Sequence, residues 1–235
     1  MKYKRIMLKL SGEVFSGEQE YGIHRAAFLD TAKQIQQVAK SGVELVIVVG
    51  GGNIWRYKDT KENGIERTVS DAMGMLATIM NSVALQAALE ALGVETRVMS
   101  AIDIPQLAEP FIKRRALRHL EKKRIIICAG GTGNPYFTTD SAAALRALEL
   151  SCDVLLKATN VDGIYDKDPN KFKDAVKYDE VTFKQALDKH LDIMDQAAFS
   201  LCQDQALPII VFNFLKKGSL EQAAKGDKIG THVHA

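Results

Sequence analysis

An excess of charge of one sign is missing from this chain. Its 235 residues carry 31 basic and 29 acidic side chains, a formal net charge of +2, so no global field draws it toward nucleic acid. Two local basic clusters, Lys113-Arg114-Arg115 and Lys122-Lys123-Arg124, lack interleaved aromatic residues and read as solvated helix surface. Cysteines are few. Cys128, Cys152 and Cys202 are odd in number and lack metal-ligand spacing, and a reducing cytoplasm is the simplest compartment for them. His24, His119, His190, His232 and His234 are scattered, so neither a metal-ligand pair nor a nucleophile triad is visible, and His232 and His234 read as solvent-facing. Ser11 lacks the strand-to-helix setting of a nucleophile elbow. Long hydrophobic runs are also absent. Lys9 interrupts Ile6-Met7-Leu8 too early for a signal peptide, and no segment is expected to reach transmembrane length. No repeat, low-complexity tract or polar linker forces a cut, so residues 1–235 are expected to form a single domain.

What the chain does have is the balance of an ordinary globular protein, 46% hydrophobic and 26% charged. Short β-type runs fall at Ile6–Leu8, Leu45–Val49, Thr96–Met99, Ile125–Cys128, Val154–Leu156 and Ile209–Phe212. Between most of them lie segments of helical period. Phe28, Ala32, Ile35 and Ala39 share one face, as do Met73, Leu76, Ala77, Met80, Ala84, Ala87 and Ala91. Gly42 and Gly93 mark helix ends. The alternation predicts an α/β fold, a three-layer αβα sandwich with a central, mainly parallel sheet, whose ligands lie beyond the carboxyl ends of the strands.

The richest stretch is Ala129-Gly130-Gly131-Thr132-Gly133-Asn134-Pro135-Tyr136-Phe137-Thr138-Thr139-Asp140. It reads as strand, glycine-rich turn and helix start, where backbone N–H groups, threonine hydroxyls and a helix N-terminus favour an oxyanion. A phosphorylated small molecule suits it. Lys9-Leu10-Ser11-Gly12 ends the first strand; alone it points rather to a snorkelling strand-end lysine. Gly50-Gly51-Gly52-Asn53 ends the second, with three glycines that leave no Cβ to keep a phosphate from the backbone, and Arg56 follows. It is neither a dinucleotide-binding fingerprint nor a Walker loop. A fourth loop opens on Lys157, again after an apolar strand, and passes through Asp162-Gly163 to Tyr165. The turn-rich stretch Asp166 to Asp179 is either a lid or a plain surface loop. Asp71 and Asp140 each stand at a helix head, where an N-cap role is sound. Two strand-end lysines on one carboxyl edge, positioned by Asp140, would serve phosphoryl transfer, and any Mg²⁺ would be held mostly by nucleotide phosphates.

Together these residues resemble the bacterial uridylate kinase family of the amino-acid kinase superfamily. The pieces are Lys9 to Glu13, Gly50 to Asn53, Asp71 with Met73 to Thr78, Gly131 to Asp140, Lys157-Ala158-Thr159, Val161-Asp162-Gly163 and Pro208 to Asn213. They run in order along nearly the whole chain. The resemblance implies Mg²⁺-dependent transfer of the ATP γ-phosphate to UMP by a cytoplasmic homohexamer. It implies that Lys9, Lys157 and Asp140 are catalytic, and that Lys9, Leu10, Ser11, Gly12, Gly52, Arg56, Thr159, Tyr165 and Asp168 contact ATP. Gly51, Asp71, Thr132, Gly133, Asn134, Pro135, Tyr136, Phe137, Thr138 and Thr139 would hold UMP, with Asp71 on the ribose. GTP activation and UTP inhibition are also implied, with Gly17, Glu18, Gln19, Glu20, Tyr21 and Gly22 matching the region associated with GTP.

Two places depart from the commoner family pattern. Trp55-Arg56-Tyr57 stands where phenylalanine, arginine and glycine are usual, and Ser70-Asp71-Ala72 where glycine, aspartate and histidine are. The charged groups survive both changes, while the rim of the site differs. Two other functions fit parts of the pattern. One is a relative that phosphorylates a carboxylate or carbamate, and the other is a binding module that senses nucleotides without turnover.

Overall fold

The computed structural model describes residues 1–17, 19, 21–56 and 64–235. Nine strands form one sheet in the order β4-β3-β5-β2-β1-β6-β8-β9-β7. They are β1 (Arg5–Leu10), β2 (Glu44–Val49), β3 (Thr96–Ser100), β4 (Glu109–Pro110), β5 (Ile125–Ala129), β6 (Val154–Thr159), β7 (Glu180–Thr182), β8 (Ile209–Asn213) and β9 (Thr231–His234). All neighbours run parallel except β8 and β9. Helices α1 (Arg25–Ala39), α2 (Arg67–Ala91), α3 (Lys113–Glu121), α4 (Thr139–Glu149), α5 (Phe183–Asp188), α6 (Gln196–Asp204) and α7 (Ser219–Lys225) complete the chain.

The layers follow from the period of two along the strands. Ile6, Leu8 and Leu10 of β1, Leu45, Ile47 and Val49 of β2, and Val154, Leu156 and Ala158 of β6 face the core under α1, α2 and α7. Met7, Val46, Val48 and Leu155 face the other core, under α3, α4, α5 and α6. This is the expected αβα sandwich. Lys9 shares its parity with Met7 and Lys157 with Leu155, so both lysines project to the α4 side, where α4 packs on β1, β2 and β6.

Three expectations about helices need correction. Helix α2 begins at Arg67 with Glu66 as its N-cap residue, so Asp71 lies inside the helix and caps nothing. At the head of α4 the cap is Thr138, whose hydroxyl accepts from the Asp140 and Ser141 N–H groups at 3.0 and 3.4 Å. Asp140 is thereby left for other partners. Among the described residues, α2 is also long and apolar enough to cross a membrane by length and composition, with a window of mean hydropathy 1.4. The expectation that no segment reaches transmembrane length is corrected by that measure, although the helix buries the polar residues Thr78, Asn81 and Ser82 inside the protein.

The strands β4, β7 and β9 went unread, and His232, expected in solvent, sits in β9 with its Nε2 buried. Burial holds its pKa below the ordinary histidine value. All three cysteines are buried as free thiols. Gly42 and Gly93 take the left-handed conformation, φ +83° and +77°, just past their helices. The 166–179 excursion is tied at its base, where the Asp166 N–H donates to the Val176 carbonyl at 3.1 Å and Val176 N–H donates back to the Asp166 carboxylate at 2.8 Å.

Candidate active site

Lys9 and Lys157 are register partners across β1 and β6. The Lys9 ammonium lies 2.8 Å from Oδ1 of Asp140 and the Lys157 ammonium 2.7 Å from Oδ2. Lys157 Nζ also donates to the Ile193 carbonyl in the segment between α5 and α6. The three side chains are 12–14% exposed, so the cluster opens to solvent through a narrow face. Burial raises the Asp140 pKa, but the charges and hydrogen bonds of Lys9 and Lys157 outweigh it and hold the carboxyl below its ordinary value. For Lys157 the balance goes the other way. Burial lowers its pKa, Asp140 opposes, Lys9 adds to the lowering, and the net shift is downward. Two ammoniums on one carboxylate leave net positive charge at the carboxyl edge of the sheet.

Two cavities meet near this cluster. The larger, about 740 Å³, is lined by Lys9, Ser11, Lys157 and Thr159 and by residues of α1. The smaller, about 370 Å³, is lined by Gly51, Trp55, Arg67, Asp71, Thr132, Asn134, Phe137, Thr138 and Thr139. Arg56 lines both. Its guanidinium is held by the Gly52 carbonyl at 2.7 Å and the Glu13 carboxylate at 2.7 Å.

The glycine loops have causes inside the protein. A Cβ on Gly12 would lie 2.6 Å from Asn53 Oδ1 and 2.7 Å from Gly52 N, so the first two strand-end loops touch backbone to backbone. A Cβ on Gly50 would meet Gly12 N at 2.8 Å, and one on Gly51 would meet the Gly74 carbonyl of α2 at 2.9 Å. Packing inside the protein therefore accounts for part of the glycine run, while Gly51 also lines the smaller cavity. Gly50 and Gly51 serve loop and helix packing, and Gly52 is the one whose Cβ would meet only the Arg56 side chain. Asn53 and Asn81, both fully buried, lock this arrangement. The Asn81 amide donates to the Gly50 carbonyl at 2.8 Å, and that of Asn53 donates to the Gly22 carbonyl at 2.9 Å.

In the glycine–threonine loop, Gly130, Gly131 and Gly133 all have positive φ, and so does Tyr136, at +70°. A tyrosine in that region is uncommon. It turns the Tyr136 N–H onto Asp71 Oδ2 at 2.8 Å, while Arg67 Nε donates to both Asp71 oxygens at 2.9 and 2.8 Å. Asp71 is thus fixed at the wall of the smaller cavity, with lone pairs left over for a hydroxyl donor.

Other residues called from sequence fall outside these walls. Leu10 is buried in the core beneath the site, and Gly12, Gly52, Gly133, Pro135, Tyr136, Asp140, Tyr165 and Asp168 line neither cavity. Gly12 nonetheless adjoins Ser11, Gly52 contacts Arg56 and Asp140 contacts Lys9, and those three partners do line a cavity. Tyr165 instead bridges to Lys177 at the base of the excursion. Gly17 and Gln19, from the run matched to GTP, line the larger cavity beside Lys9. Tyr21 is exposed, Gly22 N–H donates to the Asn53 carbonyl at 2.6 Å, and Glu18, Glu20 and Tyr57 lie outside the described residues.

Asp195 was missed. It caps α6 through the Ala198 N–H at 3.0 Å, takes the Ser141 hydroxyl at 2.8 Å, and accepts from the Thr138 hydroxyl. It therefore fixes the helix head that carries Asp140. The only local signal was an aspartate before the Gln196–Asp204 helix, which marks a cap and not a site. Among the described residues no group of three or more His, Cys, Asp or Glu gathers as a metal site. Both Asp140 oxygens are engaged by ammoniums.

The amino acid kinase family model matches residues 4–213. A uridylate kinase of Cereibacter sphaeroides is 53% identical over 231 residues, covering 98% of this chain and 94% of its own. Among solved structures, the UMP kinase from Bacillus anthracis superposes with a TM-score of 0.96 at 36% identity, over 100% of this chain and 97% of that one. The UMP kinase from Ureaplasma parvum gives 0.94 at 38% identity, over 100% of both chains.

Proposed function

The chain belongs to the amino acid kinase family, and from that premise we propose that it transfers the γ-phosphate of ATP to UMP, giving ADP and UDP. The observation that carries this reading is the Lys9–Asp140–Lys157 cluster, set where a cavity of about 740 Å³ approaches one of about 370 Å³. The larger suits a nucleoside triphosphate and the smaller a one-ring nucleoside monophosphate.

The chemistry asks little of the protein beyond position and charge. A UMP phosphate oxygen attacks the γ-phosphorus, a new P–O bond forms, and the bond from the γ-phosphorus to the β,γ-bridging oxygen breaks to release ADP. A phosphate monoester has its second pKa near 6, so at neutral pH the nucleophile is already an anion. No general base is required. Lys9 and Lys157 offset the charge on the phosphoryl oxygens in flight, with Asp140 fixing both ammoniums. Ser11, Gly12, Gly52 and Thr159 serve the donor phosphates and Arg56 the boundary between donor and acceptor. Asp71 takes ribose hydroxyls, and Thr132, Thr138 and Thr139 the acceptor's phosphate and base. Mg²⁺, when bound with ATP and held mostly by the nucleotide's own phosphate oxygens, would shield the triphosphate charge.

A homohexamer in the cytoplasm, activation by GTP and inhibition by UTP belong to the same proposal. A coupled assay across UMP, CMP and acetylglutamate, with and without GTP, tests it. UMP should dominate; equal turnover of CMP or acetylglutamate rejects the acceptor assignment, and native mass tests the hexamer.

A further inference from the structure

We propose that Trp55, latched to Ser70, is a specificity wall of the acceptor cavity and packs against the bound nucleoside monophosphate. The inference rests on the UMP kinase reading and adds a residue to it. Trp55 is the chain's only tryptophan. Two hydrogen bonds hold it, from its backbone N–H to the Gly51 carbonyl at 3.0 Å and from its indole N–H to the Ser70 hydroxyl at 2.9 Å. Ser70 is buried on α2, one residue before Asp71. The latch thus joins the strand-end glycine loop to the helix turn that carries the acceptor carboxylate.

Its effect is on what the cavity meets. With the N–H used by the protein, the indole presents its flat apolar surface, not a polar edge. Trp55 lines the smaller cavity and not the larger one, whereas its neighbour Arg56 lines both. Met75 and Phe137 line the same cavity, so its wall offers apolar surface as well as Arg67, Asp71 and threonine hydroxyls. A nucleoside monophosphate needs both surfaces, charge and hydroxyl partners at one end and a flat ring and sugar at the other. Phenylalanine would supply the ring without the latch.

The test begins with the intact protein. UMP added without ATP should give a saturable change in indole emission. Trp55→Phe should raise KM for UMP about fivefold, the loss of one hydrogen bond, with KM for ATP held within about twofold. Ser70→Ala keeps the fluorophore and should shift the UMP midpoint in the same direction, and the double variant should be no worse than Trp55→Phe alone. Indole emission blind to UMP in an enzyme that turns UMP over, or an unchanged UMP KM in Trp55→Phe, overturns the proposal and leaves the kinase reading standing. Equal losses of UMP and ATP affinity overturn it too, since they mark general damage to the loop. Failure of the unaltered protein to phosphorylate UMP overturns the kinase reading instead.

Discussion

Lys9 and Lys157 stand opposite each other on neighbouring parallel strands and hold the two oxygens of one carboxylate, at 2.8 and 2.7 Å. Replacing either by Ala removes one of two preorganised cations from the transferring group. Turnover should fall ~10²–10³-fold, while UMP binding, followed by calorimetry, stays largely intact. A Lys9→Ala enzyme that keeps normal kcat would remove the lysine from the mechanism.

Asp140→Asn takes away the counter-charge and leaves two ammoniums facing each other with little water. A nearly isosteric amide cannot compensate them, so stability should fall by about 3 kcal/mol. Urea unfolding at constant m-value reads this directly, and an unshifted midpoint contradicts the shared-carboxylate geometry.

The pH dependence has two sides. Asp140 has a folded pKa below its ordinary 3.8, so its contribution to stability is fully present above that value and is lost as pH falls through the lower folded pKa. Lys157 has a folded pKa below 10.5, so between the two values the unfolded chain binds the extra proton and stability rises with pH. Activity moves oppositely there, because the ammonium that serves phosphoryl transfer is disappearing. The alkaline limb of kcat/KM, which reports the free enzyme, should therefore begin below 10.5 and move upward in Lys157→Arg, whose charge does not titrate.

Gly12→Ala tests the loop contact. The added methyl would lie 2.6 Å from Asn53 Oδ1 and 2.7 Å from Gly52 N, and the backbone has to move apart. Destabilisation of roughly 1–3 kcal/mol is expected, together with a raised KM for ATP, measured by denaturant titration and steady-state kinetics.

Asp195→Ala removes a helix cap and the acceptor for the Thr138 and Ser141 hydroxyls. Stability should drop by about 2 kcal/mol. Because Thr138 lines the smaller cavity, KM for UMP should rise more than KM for ATP. Equal changes in both would make Asp195 a purely structural cap.

The central strands were readable because a parallel sheet buried on both faces demands unbroken apolar runs, and β2, with Glu44 followed by Leu45 to Val49, has one. The short strands β4, β9 and β7, toward the two ends of the sheet, were not. Glu109–Pro110 is two residues long, and Thr231–His234 alternates threonine and valine with two histidines. Lys9, Lys157 and Asp140 were visible as residues, because a lysine ending an apolar strand is unusual. The Ile193 carbonyl and Asp195 were not, since only tertiary packing brings the α5–α6 segment over β6. Asn53 and Asn81 were hidden for the same reason, being two amides on separate elements with no pattern to link them.

The strand pair β1·β6 joins the opening of the chain to its last third. A parallel pairing of such separation closes late and at an entropic cost, so the two cations meet only after most of the polypeptide has been made and docked. A chain that stops before β6 has Lys9 and Asp140 but lacks Lys157. The paired charge is thus a property of the finished sheet, absent from any fragment that lacks either strand.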